Sequence, residues 1–462
     1  MVQRLSVADW AGIEQSCGNG LAGVPTRDLE IALDPAARTV ISRTPSDIGI
    51  ATYRAVFGVT EFRALWLAQL LSVAGDQLAR VAMTVLVYDH THSALWTALT
   101  YAVTFLPWAI GGLALSGLAD RLPRRRVMVA CDLARFVLMC LMALVSLEVP
   151  PTPALWIMVT LLFAVTLLDS PFKAARSATL PDVLPGERYI LGIAVTQTTI
   201  QIGMAAGFAL GGVIVAVTGV RTALLADAAT FAASAALAWV WVQPRSAAVS
   251  RLAGGPSRLA EVAAAVRLVF GARGLRTLML LGWLVAFYIV PTGLAAPYAA
   301  SLRASLPVAV STGLIFAACP FGTAVGAVIF GRAVPAARRQ RLMAPLAVAA
   351  CGLLPLCWLR PGMVASLAIL AGSGACASYQ LAANAAFVSA VPPARRGQAF
   401  GLANGGMQVS QGLWIVLAGA VVTSNAVSPG AAIASSGGIG AILAAALAIS
   451  GSREPSSAIV GR

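Results

Sequence analysis

Two charged residues four apart inside a long apolar run, Asp76 and Arg80, have the residue types to do chemistry in an unusual place. An ionised side chain near the centre of a bilayer costs about 2.5 to 3.5 kcal/mol on the mildest scale, so such a charge is paired, functional or both. The spacing puts Asp76 and Arg80 on one helical face with Gln69, Ser72 and Thr84, a polar stripe that should face a cavity rather than lipid. Two readings stay open at this point. The pair is a neutralised structural contact, or it meets a substrate and exchanges a proton.

A second constellation is the charged hairpin at residues 117–127, GLADRLPRRRV, where Asp120 is followed by Arg121, Arg124, Arg125 and Arg126, and Pro123 keeps the flanking helices from fusing. Asp132 and Arg135, three apart in the next apolar run, belong with Asp120, Arg124 and Arg176 in one expected charge cluster. Asp169 and Asp227 read as pairing or capping groups rather than proton carriers. Between Glu261 and Glu454 there is no Asp or Glu, so a coupling carboxylate has to lie in the first half, and Asp76 is the first choice. The second half offers neutral groups inside its apolar runs: Tyr288, Tyr379, Gln380, Asn384, Asn404, Gln408 and Gln411. Asn404, Gln408 and Gln411 share a helical face, as do Gln197 and Gln201. Such groups suit an amphipathic ligand held by apolar contact and a few hydrogen bonds, and equally suit contacts between helices.

The elements that must position these residues are membrane helices. Of the 462 residues, 59% are hydrophobic and 11% charged, and the mean hydropathy of +0.83 excludes a soluble globular protein. Twelve apolar runs are long enough to cross ~30 Å of hydrocarbon. They lie near 64–88, 94–118, 127–147, 153–173, 190–217, 222–242, 275–300, 308–331, 342–359, 363–388, 399–422 and 430–450. Loops after even-numbered runs, with adjoining helix ends, hold nineteen basic residues and the opposite loops three, Arg221, Arg303 and Arg360, which puts both termini in the cytoplasm. The net charge of +14 is therefore a topological signal and not a nucleic-acid surface. A Gly-, Pro-, Ser- and Arg-rich break divides the runs six and six. The expected organisation is a polar tail at 1–54, a six-helix bundle at 55–243, a linker at 244–274, a second bundle at 275–450 and a tail at 451–462. The seven cysteines form no C-x-x-C pair, and His90 and His92 have only Asp89 beside them, so no metal site or cofactor is expected. No P-loop is present, and no nucleophile, base and orienting group can be assembled, which argues against an ATPase or another enzyme.

With these spans, the hairpin GLADRLPRRRV resembles the loop between helices 2 and 3 of the major facilitator superfamily, usually written G-x-L-A-D-R-x-G-R-R. Gly75-Asp76, the DLAR run 132–135 and the stretch from Pro171 to Asp182 are similar to the bacterial drug-exporter and macrolide-efflux-like branch. Pro123 stands where the loop motif has its second glycine. In the fifth span, Phe208 and Ala194 stand where proton-coupled exporters often carry proline and glycine. The resemblance implies an all-α membrane protein of twelve helices in two six-helix bundles. It implies a secondary transporter of the bacterial plasma membrane, an antiporter that exports a hydrophobic compound and confers drug resistance. The expected partners are a small-molecule substrate, protons and the bilayer, with the chain monomeric; uptake of a small solute or a transport-inactive sensor or scaffold are the alternatives. Gly117, Asp120, Arg121, Arg124, Asp132, Arg135 and Arg176 are implied to latch the outward-open state, with Asp120 facing the amino end of helix 11. The expected substrate and proton pathway comprises Asp76, Arg80, Gln69, Gln197, Gln201, Asn384, Asn404 and Gln408.

Overall fold

The computed structural model of the protein describes residues 52–107, 122–146, 153–245, 258–392, 395–424 and 427–452. Gly117, Asp120 and Arg121 of the hairpin, and most of both expected tails, lie outside the described residues. Helices account for nearly all of what is described, and no strand occurs among it.

In the first half these are α1 (Tyr53–Phe57), α2 (Thr60–Thr91), α3 (Ala94–Ala102), α4 (Arg124–Val145), α5 (Pro153–Val183), α6 (Glu187–Thr218) and α7 (Val220–Trp241). The second half contains α8 (Arg258–Gly271), α9 (Arg273–Trp283), α10 (Val285–Tyr288), α11 (Val290–Gly293), α12 (Ala295–Ser301), α13 (Val308–Ala333) and α14 (Ala336–Gly352). A 3-10 turn (Leu354–Leu359) then precedes α15 (Met363–Cys376), α16 (Tyr379–Ala390), α17 (Arg396–Thr423) and α18 (Pro429–Ser452). Eleven helical runs among the described residues are long and apolar enough to span a membrane. The expected second span begins as α3 and continues into residues 108–121, outside the described residues.

Two short turns, one of three residues and one of a single residue, show how tightly the chain reverses. Gly186, before α6, has φ +64°, and Gly219, between α6 and α7, has φ +84°, values that a residue with a Cβ adopts with difficulty. The seventh span is broken into the four pieces α9 to α12, with Pro291 and Pro297 removing backbone donors inside it. Part of the expected linker is ordered. α8 buries Ala265, and its Val269 joins a cluster with Leu275, Met279, Phe387, Val391 and Ala399 that fixes it to α9, α16 and α17.

The two halves touch through small residues. On α6, a Cβ added at Gly212 would sit 2.6 Å from the Ala309 carbonyl and 3.1 Å from Gly313 Cα of α13. Phe208 of α6 stacks on Phe316 of α13 at 4.8 Å, and Tyr101 of α3 lies 5.3 Å from the same ring. A second contact joins α3 to α17, where a Cβ at Gly419 would meet Ala98 Cβ at 2.4 Å. Close backbone approach supplies the contact that the hydrophobic effect cannot provide between helices in lipid.

Candidate functional site

The first-half charges converge on Arg135. This guanidinium is 1% exposed in α4, and it reaches Asp76 of α2 at 3.0 Å, Asp132 of its own helix at 3.5 Å and Asp169 of α5 at 3.7 Å. Its cationic carbon lies 4.0 Å from the Phe231 ring centroid. Asp169 is also paired with Lys173, one turn along α5, at 2.6 Å. Asp132 accepts a 2.5 Å hydrogen bond from Ser234 of α7. Asp227, also on α7, is 1% exposed; its Oδ1 accepts from Thr230 at 3.2 Å, while Oδ2 is buried with no hydrogen-bond partner. Arg80 lies 5.9 Å above the Tyr101 ring. A cavity of about 20 Å³ is lined by Asp76, Arg80, Asp169 and Asp227 with apolar neighbours.

These positions correct two pairings expected from the sequence. Asp76 is held by Arg135 rather than by Arg80, because α4 brings a guanidinium straight to the carboxylate while Arg80 turns to the aromatic ring of α3. Asp132 and Arg135 lie apart from Arg124, which instead donates to Asp182 at 2.7 Å and to the Ala178 carbonyl. Eleven residues of helix, roughly 16 Å, separate Arg124 from Arg135, too far for one compact cluster. Arg176 is 7% exposed, and its Nε and Nη2 have no hydrogen-bond partner among the described residues.

At the end of the molecule that carries the basic loops, a belt of ion pairs ties the helix termini together. Arg245, just past α7, binds both oxygens of Glu61 at the start of α2, with its Nε 3.9 Å from Asp182. Glu61 raises the pKa of Arg245 above its ordinary value by hydrogen bonding and charge. Arg125 donates to the Trp239 carbonyl and stacks on its ring at 4.6 Å.

α6 and α13 close against each other at Gly212 and Gly313, and on the side of that contact toward the basic loops a crevice of about 1200 Å³ lies along α6, α13, α15 and α16. Its lining is apolar, including Ile202, Phe321, Val325 and Leu381, with Gln197 and Gln201 as the main polar groups. Beyond the closure lies a vestibule of about 960 Å³ with Tyr88, His92, Arg303 and Arg360 on its walls. There Thr423 of α17 accepts a hydrogen bond from the Leu95 amide of α3 at 2.8 Å.

The remaining expected pathway residues are dispersed. Gln69 is 3% exposed, with its Oε1 unpartnered. In α17, Gln411 donates to Gln408 at 3.0 Å, a local pair; Asn404 is half-buried on the same helix and Asn384 is exposed on α16. A polar node joins Gln380 Nε2 to the Gly282 carbonyl at 3.0 Å and to Tyr288 Oη at 3.1 Å, while Tyr379 donates to the Leu281 carbonyl. Sequence reasoning gave Asp169 and Lys173 no part in the Asp76 site. The i,i+4 placement of the chain's one lysine was the available signal.

The family model for the Major Facilitator Superfamily matches residues 65–412. The enterobactin exporter EntS of Citrobacter koseri is 29% identical over 318 residues, spanning 64% of this chain and 71% of that exporter. Among solved structures, a bacterial homolog of the human lysosomal transporter Spinster, inward-facing and occupied, aligns with TM-score 0.64 and 16% identity over 88% of this chain and 98% of its own. A bacterial homologue of the iron transporter ferroportin in an inward-facing state gives 0.61 and 15%, over 85% and 99%. At these identities the solved structures establish the fold.

Proposed function

The chain belongs to the Major Facilitator Superfamily, and from that premise we propose that it exports a hydrophobic or amphipathic small molecule by alternating access, driven by protons. It is a secondary transporter and not an enzyme. On this reading the basic loops lie in the cytoplasm and the crevice faces inward. The observation that carries the proposal is the crevice itself: an apolar surface of about 1200 Å³ with Gln197 and Gln201 offering hydrogen bonds, open at the end from which an exporter loads. Direction is supported by the relative named as an enterobactin exporter. We carry over the direction of transport and not the substrate.

Protons are a sufficient energy source. One proton moving across about 100 mV and one pH unit releases roughly 3.7 kcal/mol, enough to hold a neutral solute at a gradient of around 500-fold. Carboxylates for coupling exist in the first half alone, at the cluster around Arg135. Rocking of the halves that parts the Gly212 and Gly313 contact as the crevice closes would expose the crevice and the vestibule in turn. The Arg124 to Asp182 contact sits at the basic end, where a latch on the outward-open state would act.

An efflux screen in cells lacking their major pumps, run with and without a protonophore, tests the reading. Expected is resistance to at least one amphipathic compound, abolished by the protonophore. Asp76→Asn should reach the membrane and lose that efflux. Full efflux in this variant would remove Asp76 from the coupling path, and no resistance to any compound would turn the argument toward uptake or scaffolding.

A further inference from the structure

We infer that Asp227 is the residue that carries the proton in the conformation seen here, handing it to Asp76 through the small cavity both residues line. This rests on the proton-coupled reading above and changes which carboxylate receives the proton.

Asp76, Asp132 and Asp169 each form an ion pair, to Arg135 or Lys173. Asp227 forms none among the described residues, and one of its oxygens is fully buried without a hydrogen bond. α2 presents Asp76 and Arg80, α4 presents Asp132 and Arg135, and α5 presents Asp169 and Lys173; on α6 the charged residues are Glu187 and Arg188, at its far, basic end. The site therefore holds four carboxylates against the three cations Arg80, Arg135 and Lys173. One proton makes the account neutral. It belongs on the acid whose ionised form is least supported, since a bare carboxylate oxygen away from water is the costliest group to keep charged.

Backbone geometry keeps Asp227 in that condition. Gly75 of α2 presses directly against it: a Cβ there would lie 2.1 Å from Asp227 Oδ1 and 2.3 Å from Thr230 Oγ1. A glycine next to Asp76 thus brings the two acids to adjacent helix surfaces while closing one side of Asp227 to solvent. Position along the membrane fits a relay. Asp227 lies seven residues from the start of α7, roughly 10 Å from the end opposite the basic loops, so it is the acid of the cluster set to receive a proton from that side. The shared cavity, about 20 Å³, has room for one water. In the transfer the O–H bond at Asp227 Oδ2 breaks as one forms at a carboxylate oxygen of Asp76, directly or through that water, and the cluster's charge is unchanged until Asp76 releases the proton.

Two substrate-free measurements on the purified full-length protein in lipid vesicles test this. Infrared difference spectroscopy reads the C=O stretch of a protonated carboxyl group. At neutral pH the wild type should show it, Asp227→Asn should lose it, and Asp227→Glu should move its frequency. The glutamate variant decides the matter if the asparagine variant does not fold. Spin-label distances between Arg221→Cys and Arg360→Cys, at the closed end, read conformation. Raising the pH from mildly acid to mildly alkaline should shift the wild-type distribution several-fold away from the closed distance, and Asp227→Asn should hold the acid-side distribution throughout. An unchanged band in Asp227→Asn, an unmoved band in Asp227→Glu, or a pH response equal to wild type overturns the assignment. A protein that exports nothing in the efflux screen would sink the proposed function while leaving both of these results legible.

Discussion

The sharpest test of alternating access in this chain is a methyl group placed at the contact between its halves. In Gly313→Ala the new Cβ would lie 2.6 Å from the Phe208 carbonyl and 2.8 Å from Gly212 Cα. These atoms are backbone, so no side chain can rotate away, and α6 and α13 must separate by several tenths of an ångström. Overpacking of this kind typically costs about 1–3 kcal/mol. On the proposed alternating-access reading the contact is made only while the vestibule end is closed, so the whole cost falls on that conformation and shifts the equilibrium toward its alternative by about 5- to 150-fold. Gly326→Ala is the matched control, since its Cβ would meet the Ala375 carbonyl at 2.2 Å, but between α13 and α15 within one half. It should destabilise the protein without changing the balance of states. Electron-spin distances between labels at Arg221→Cys and Arg360→Cys, in a background lacking the seven native cysteines, would read the balance directly. Equal shifts in Gly313→Ala and Gly326→Ala, or none in Gly313→Ala despite a lowered melting temperature, would refute the view that this interface is made and broken during the cycle.

Three further outcomes follow from particular contacts. Arg135→Gln leaves Asp76 without its guanidinium and should lower stability by about 3–5 kcal/mol, read as a lost or much reduced thermal transition, with Arg135→Lys recovering part of it; an unchanged midpoint would mean the cluster is not electrostatically held. Arg245→Ala removes both bonds to Glu61 at a partly solvated site, so its effect should be on the order of 1 kcal/mol and should shrink in high salt, as a melting series at two ionic strengths would reveal. Gln380→Leu strips a donor from the Gly282 carbonyl and from Tyr288, at a cost of about 1–3 kcal/mol, with binding of any compound found in the efflux screen retained; lost binding with unchanged stability would make Gln380 a ligand contact instead.

The fold was largely legible because the bilayer imposes simple rules. A run of some twenty apolar residues has few alternatives to a helix when no water is present to satisfy the backbone, and arginine-rich loops alternate with poor ones. The site was legible as a list but not as a map. Periodicity put Asp76 beside Arg80, since within one helix those are the neighbours, whereas the choice of Arg135 as partner depends on which faces α2 and α4 turn to each other. The same limit hid the significance of Asp227. Its sequence neighbourhood, ADAATF, is that of an ordinary small-residue helix, and its lack of a cation is visible only once α2, α4 and α5 are packed around it. Gly75 shows the converse: in the sequence it is one residue of a motif, and its physical reason is the carboxylate lying where a Cβ would be.

The two halves are held together by different physics, and the difference bears on coupling. In the first half, helices α2, α4, α5 and α7 are joined through buried charges, whose attraction changes when a carboxylate takes up a proton, and through the Glu61, Arg245 and Asp182 belt. In the second, α13 and α15 approach backbone to backbone: Cβ atoms at Gly322 and Gly374 would come within 1.9 Å of the Ala371 carbonyl and 2.2 Å of the Cys319 carbonyl. No carboxylate lies anywhere between Glu261 and Glu454. A proton entering the membrane interior can therefore loosen or tighten the first half while leaving the second as a rigid body. Rocking then needs no matching event across the interface. The proton alters how α2 and α7 sit, α6 follows α2 through Gly207 and Gly211, and Gly212 carries the displacement to Gly313. On this argument the coupling path is short, one-sided and made of glycine contacts. A bulkier residue at Gly207, where a Cβ would meet the Ala74 carbonyl at 2.8 Å, should uncouple protonation from opening even with every charge in place.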